Sequence, residues 1–415
     1  MSVGTCSHVI KATGAAWCWG NNNTGQCGNN TAANSYSSPV AVVGSHSFIQ
    51  IAQGRQTSWA LKDSGECWGW GSNSGTMAGM IGDNTVTNRS SPVQVVGSHS
   101  FISIAGAENW AMGLKVTGEC WTWGQNTNAD YATSGQLGNN SITATSSPVA
   151  VVGSHSFITI RGGETHAAAL KIDGSVWCWG GNDSGQLGDN SITNRSSPVA
   201  VVGSHSFISI SAGFSQTMAM KSDGSVWCWG DNVSGQLGNN SITNTSSPVA
   251  VVGSHSFIDI SCGGPVEGAN TIGALKADGS VWCWGSNERG QVGNNTKGNS
   301  YSSPVQVVGS HSFTLLTAGS GFMMAFKPDG SCWGWGSDND GRLGNNNAGV
   351  SYSSPVTVVG SHSFLCIWDR RLHMVYGDDG TKWQRVAYGY VDDGSAWKRI
   401  MDINVQVAGA WKKAT

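Results

Sequence analysis

The side chains of this sequence that could do chemistry recur at fixed places. Seven Ser-His-Ser triplets carry His46, His99, His155, His205, His255, His311 and His362. Histidine beside serine could act as base and nucleophile, and seven imidazoles could collect a metal ion. Either chemistry needs convergence and an orienting carboxylate. No Asp or Glu accompanies each His, and residues on separate repeats meet only at an axis. The triplet therefore reads as a turn, Gly-Ser-His-Ser, linking one structural unit to the next. The Gly-Gln-Leu-Gly segments are not phosphate loops, because no Lys follows and no helix starts there; they read as glycine-rich turns with Leu packed inward. Asp189, Asp231 and Asp338 stand beside asparagines without calcium-loop spacing, which points to turn chemistry.

Eleven cysteines include no Cys-x-x-Cys pair. Cys18, Cys178, Cys228 and Cys283 lie between two tryptophans, and Cys67, Cys120 and Cys332 lie just before one. Buried free thiols, made in a reducing cytoplasm, are expected rather than a disulfide framework or a metal site. With no catalytic constellation left, the expectation is a non-enzyme without cofactor or metal.

The elements that would position these residues come from a unit of about fifty residues read seven times. Trp-x-Trp-Gly quartets open at Trp17, Trp68, Trp121, Trp177, Trp227, Trp282 and Trp333, and Ser-Pro-Val follows at Pro39, Pro92, Pro148, Pro198, Pro248, Pro304 and Pro355. In the unit from Ser204 to Gly253, residues 206–210 alternate apolar and polar as a half-buried strand. A turn leads to a second strand at 217–221. Asp223-Gly224 signals a tight hairpin into a third strand at 226–229. A loop then leads to a fourth strand from Pro248 to Val252, where proline suits an outer edge. Such a sheet cannot bury both faces alone, whereas seven copies around an axis can. The fold class expected is all-β: a seven-bladed β-propeller over 1–367, with a small β tail over 368–415. The chain starts inside a second strand (Val9–Lys11), and a spare strand from Ser361 to Ile367 would complete the first blade and close the ring.

Charged residues make up only 11% of the chain and the net charge is −3. That offers no electrostatic footprint for nucleic acid or a membrane surface. Twenty tryptophans exclude disorder despite fifty-nine glycines. The start lacks the pattern of a secretory signal, and no stretch has the length and apolarity of a bilayer span.

The string Ala-Leu-Lys-x-Asp-Gly-Ser-Val-Trp-Cys-Trp-Gly-x-Asn-x-x-Gly-Gln-Leu-Gly-x-Asn at 169–190 resembles the regulator of chromosome condensation repeat. The resemblance covers roughly residues 5 to 367 and implies a seven-bladed propeller. It transfers no single function, since the family includes a nucleotide exchange factor and a β-lactamase inhibitor.

Departures from the repeat carry the functional expectations. The third turn is expanded in blade two (Thr76, Met77 and Met80) and in blade three (Asn128, Asp130 and Tyr131). The first turn is expanded in blade six (Pro265, Glu267 and Asn270). First and third turns of an up-down blade share one face, so these loops are expected to form a binding side. Blades three to five are near copies, as expected of a scaffold. In the tail, Trp383, Trp397 and Trp411 recur every fourteen residues in a turn-plus-strand cadence. That cadence resembles C-terminal segments of tailed-bacteriophage tail and fibre proteins. The resemblance implies a virion protein made in the host cytoplasm and present in multiple copies. Its tail would attach to other virion proteins, and its loops would meet a host surface glycan or protein. Capsid decoration is one alternative, and a cellular regulatory propeller binding a small GTPase is another. A propeller enzyme would need an acid–base pair converging on one face, and only scattered loop carboxylates are present.

Overall fold

The computed structural model describes residues 2–359 except 4, 12, 33–34, 75–78, 128–133 and 265–269; beyond 359 it describes only the backbone of 390–392, 397–399, 404–407 and 410–413. Seven four-stranded antiparallel sheets follow one another along the chain, each with its strands in sequence order. These are the seven blades of an all-β propeller.

Blade five shows why the residues form these strands. Its strands are Ser209–Ala212, Gln216–Met220, Val226–Gly230 and Thr245–Ala250. All five residues of the second strand are buried. It is sandwiched between neighbouring blades, so Gln-Thr-Met-Ala-Met shows no polar alternation. In the third strand Trp229 is fully buried and Trp227 half-buried, although both point to one side. The outer strand holds Pro248, whose missing N–H costs no ladder bond at an edge.

Two strand boundaries differ from the sequence reading. The first strand begins at Ser209 rather than Ser206, because the Phe207 N–H bonds the Gly174 carbonyl of blade four (2.9 Å). The Ser-His-Ser-Phe step is thus a crossover stapled to the preceding blade. The fourth strand is Thr245–Ala250 rather than Pro248–Val252, since Val252 N–H turns aside to the Gly238 carbonyl (2.9 Å).

Six of the seven joints between blades repeat one set of contacts, and the joint of blades two and three lacks its indole bond. The Gly-Gln-Leu-Gly segment folds between its own sheet and the next, burying Leu187 and Leu237 completely. The Gln carbonyl accepts the indole N–H of the next blade: Trp229 to Gln186 at 3.0 Å and Trp284 to Gln236 at 3.0 Å. An asparagine just beyond sends its backbone N–H to the next outer strand, as from Asn190 to Ser246 (2.8 Å). These asparagines have positive φ (60° at Asn190), which Asn tolerates better than most residues.

The same contacts close the ring. Trp19 Nε1 donates to the Arg342 carbonyl (3.0 Å), and Asn346 N–H to Ser37 (3.3 Å). Blade one takes its innermost strand from the N-terminus: Ser2–Val3 pairs with Cys6–Ile10. This corrects the expectation that the chain starts within a second strand. The spare strand expected at 361–367 lies outside the described residues. The thiol expectation is also corrected at one place, where Cys18 and Cys27 form a disulfide (Cα–Cα 5.2 Å). The other cysteines among the described residues are free and buried.

The chain divides into Met1–Cys366 and Ile367–Thr415. In the second unit Tyr390–Asp392 pairs with Trp397–Arg399, and Asn404–Val407 with Ala410–Lys413. Trp397 and Trp411 thus occupy the second strands of two hairpins, and Trp383 lies outside the described residues.

Candidate functional site

The repeated histidines are structural. The His205 ring lies 4.4 Å from Trp227, centroid to centroid, and Lys221 Nζ lies 4.4 Å from the same indole. The triple recurs in blades two to seven, for instance His46, Trp68 and Lys62. Partial burial and then the neighbouring lysine hold these imidazoles below their ordinary pKa. The His205 ring packs at a tilt against both the indole and Phe207, and these aromatic contacts with the lysine account for its place in the crossover. In blade one Lys11 stands 4.1 Å from Trp17, and the corresponding His362 lies outside the described residues.

Of the expected binding residues, Thr76, Met77, Asn128, Asp130, Tyr131, Pro265 and Glu267 lie outside the described residues. Met80 is a correction. It is 1% exposed, because Gly79-Met80-Ile81-Gly82 is the Gly-Gln-Leu-Gly segment of its blade, folded into the joint. Its carbonyl accepts from Trp59 Nε1 (3.2 Å), while Trp123 Nε1 of blade three has no partner. Asn270 is half-buried at the head of a strand, and its carbonyl accepts the Ser286 N–H (2.8 Å).

The first turns around these loops form a linked collar. Thr5 Oγ1 donates to the Arg55 carbonyl (2.6 Å), and Arg55 N–H to the Glu108 carbonyl (2.8 Å). The Arg55 guanidinium pairs with the Glu108 carboxylate at 3.1 Å. Trp110 Nε1 reaches Glu164 (2.8 Å), whose N–H reaches Phe214 (3.2 Å). At the same end of the strands, the third-turn loops expose Val86, Ile142, Ile192 and Ile242 at equivalent places in blades two to five, with Ile192 and Ile242 each 68% exposed. A shallow cleft of about 500 Å³ lies between the third-turn loops of blades six and seven, lined by Glu288, Arg289, Lys297 and Val350.

A second constellation went unread in the sequence. Cys6, His8 and Cys18 place their ligating atoms within 4.8 Å of one another, all buried. Cys27 adjoins them through Cys18. Burial pushes the Cys6 thiol well above its ordinary pKa and the His8 imidazole down to about 4. The available signal was Gly-Gln-Cys-Gly at 25–28, where other blades have Leu, Ile or Val.

Acidic loop residues behave as turn formers with one exception. Asp189 accepts from Ser191, Asn182 and Arg195. Asp338 replaces the asparagine that other blades use at its position, and only its Oδ1 has a partner, the Leu343 N–H at 2.9 Å.

Fold and site together define a repeat propeller whose repeated side chains are consumed in blade joints and whose variation in sequence lies in the turns at one end. Within that class, the chain belongs to the regulator of chromosome condensation (RCC1) repeat family. The repeat matches residues 13–61, 173–220, 223–265 and 278–326, and a second form of it matches 157–186, 207–236 and 257–291. Together the matches span just over half of the chain. The fold is shared with human WBSCR16 (17% identity, TM-score 0.71, 83% of this chain and 94% of that one). It is also shared with Prp20p of Saccharomyces cerevisiae, whose structure was determined together with its binding properties to Gsp1p and histones (18%, 0.74, 85% and 88%). Yeast Prp20 bound to Kap60 superposes similarly (18%, 0.72, 86% and 85%). At such identities the likeness is one of fold.

Proposed function

We propose that this chain is a regulatory propeller that performs no catalytic step and binds a protein partner at the end of the blades carrying the first and third turns. A small GTPase is the partner class to test first. The observation that carries the reading is the gathering, at that end, of the Arg55–Glu108 collar and the exposed Val86, Ile142, Ile192 and Ile242. Repeated exposed aliphatic side chains on rigid loops suit a protein surface better than a small molecule. The fold shared with Prp20p, which binds Gsp1p and histones, supports a protein partner. Titration calorimetry of the full chain against small GTPases in both nucleotide states tests it. Ile192→Asp with Ile242→Asp is expected to weaken binding at least tenfold without changing the circular dichroism spectrum. Unchanged affinity in that variant, or no binding to any GTPase tried, would remove this reading.

The virion reading gains no support from the family match. What favours it is the paired hairpins that carry Trp397 and Trp411 in matching strands. It predicts gold label on purified phage particles with antibody against the propeller, and soluble cellular protein would exclude it.

A further inference from the structure

Blade one departs from its six copies at three positions that meet inside one core. Cys6 stands where the others have Thr57, Trp110, His166, Gln216, Thr271 and Phe322. His8 stands where they have Trp59, Met112, Ala168, Met218, Gly273 and Met324. Cys27 replaces the aliphatic plug of the Gly-Gln-Leu-Gly segment. A fourth residue, Cys18, is directly opposite His8 in the ladder and so on the same side of the sheet. Blades four to six have a cysteine at that place too, in apolar packing and opposite Ala168, Met218 and Gly273 in place of histidine; in blade five Cys262 packs in the same cluster.

The geometry around these four side chains is that of metal ligands with their supports. The Cys6 Sγ to His8 Nδ1 distance is 4.0 Å. Ligand atoms on one tetrahedral zinc-class ion, at about 2.3 Å for sulfur and about 2.1 Å for nitrogen, stand roughly 3.6–3.8 Å apart, so only a small contraction is needed. His8 Nε2 lies 3.5 Å from Ser58 Oγ, whose own proton is given to the Gln26 carbonyl at 3.0 Å. The serine is left as acceptor, which puts the imidazole proton on Nε2 and the free lone pair on Nδ1, facing Cys6. Such an outer partner orients a metal-bound histidine. Gln53 Nε2 donates to Cys6 Sγ, a bond that favours thiolate.

We propose that, with Cys18 and Cys27 as thiols, the side chains of Cys6, His8, Cys18 and Cys27 hold one soft cation of the zinc class. Two molecules of a small thiol reductant open the Cys18–Cys27 disulfide and leave as their own disulfide. The cation then displaces one proton from each of the three cysteines and takes the lone pair of neutral His8, releasing three protons. Disulfide and metal are alternative staples: the disulfide ties the third strand to the third turn of blade one, and the metal would tie the second strand to both. Among the described residues, the cluster at this place buries Cys6, Cys18 and Cys27 with Tyr36 and Val40 packed against them, where the clusters of blades five to seven bury Trp, Leu, Ile and Met.

The test uses the full chain, purified with a thiol reductant and dialysed against zinc sulfate. Elemental analysis and native mass spectrometry are expected to give one zinc per chain, and cobalt(II) in its place to give thiolate-to-cobalt charge-transfer absorption. Cys27→Leu installs the residue of blades three, four, five and seven, so it is expected to fold; it and Cys6→Thr should lose the zinc and the absorption. His8→Met should weaken zinc binding at least roughly tenfold. Cys283→Thr, which removes the equivalent of Cys18 from blade six, should keep zinc in full. Reduced wild-type protein that stays metal-free, a Cys18–Cys27 disulfide that resists the reductant, or zinc retained in Cys27→Leu would each overturn the proposal.

Discussion

Replacing Asp338 by asparagine should stabilise this protein, and the gain should depend on pH. In blade six the corresponding Asn287 accepts the Val292 N–H (3.0 Å) and donates through Nδ2 to Thr296 (3.2 Å). Asp338 reproduces the first bond with Leu343 but presents a bare Oδ2 where the amide donor should be. Burial, with Asp340 adding to it, raises its pKa from 3.8 to about 6. At about 1.36 kcal/mol per unit, that difference sets an upper figure near 3 kcal/mol for keeping it ionised, and solvent screening lowers this to about 1–2 kcal/mol. Because the folded pKa lies above the unfolded one, the stability Asp338 supplies is complete below pH 3.8 and is lost as pH rises through about 6. The advantage of Asp338→Asn over wild type should therefore be full at pH 7.5 and shrink steadily towards pH 4. Urea unfolding followed by tryptophan fluorescence across that range measures it. An advantage of the same size at every pH, or a variant less stable than wild type at pH 7.5, would refute the reasoning.

His166 behaves in the opposite sense: burial lowers its pKa to about 3, so its contribution is complete above 6.5 and lost as pH falls. His166→Gln, which installs the residue of blade five, should make the acid limb of the urea midpoint shallower by up to about 1.4 kcal/mol per pH unit. Trp229→Phe removes the bond to Gln186, whereas Trp123→Phe removes an indole N–H with no partner, so the first should cost about 1 kcal/mol more in the same urea assay.

The propeller was legible because its signal is repeated. Trp-x-Trp-Gly and Ser-Pro-Val mark the third and fourth strands in every copy, and Asp-Gly marks the second turn in blades four to seven. Strand ends were less legible where a backbone N–H serves another blade. Nothing local in Ser206-Phe207 says that Phe207 bonds Gly174 and not its own ladder. Met80 misled because an insertion four residues earlier hides that Gly79–Gly82 is the ordinary plug of the joint. Cys27 was legible in principle, as the one cysteine in a column of aliphatic residues. Its meaning required Cys6, His8 and Cys18, which only the folded sheet brings beside it.

Apart from the loop insertions of blades two, three and six, one group of departures from the repeat lies where the ring closes. Cys6, His8 and Cys27 belong to blade one, and Asp338, Asp340 and Arg342 to blade seven. The Arg342 carbonyl receives both Trp19 Nε1 (3.0 Å) and Ser7 Oγ (3.0 Å) across their joint. Six joints are also spanned by the Gly-Ser-His-Ser crossover, so opening them strains the chain itself. Among the described residues the seventh is held by side-chain and backbone contacts alone. Local opening draws on the least constrained unit, and a change at this joint is expected to act on the stability of the ring. An added staple in blade one and a titratable Asp338 in blade seven therefore act in opposition at one place. Reduction without metal at neutral pH should loosen this joint first, with hydrogen exchange rising at Ser7, Trp19 and Leu343 before Met218 or Trp229. Uniform exchange across all seven blades would show that closure carries no special weight.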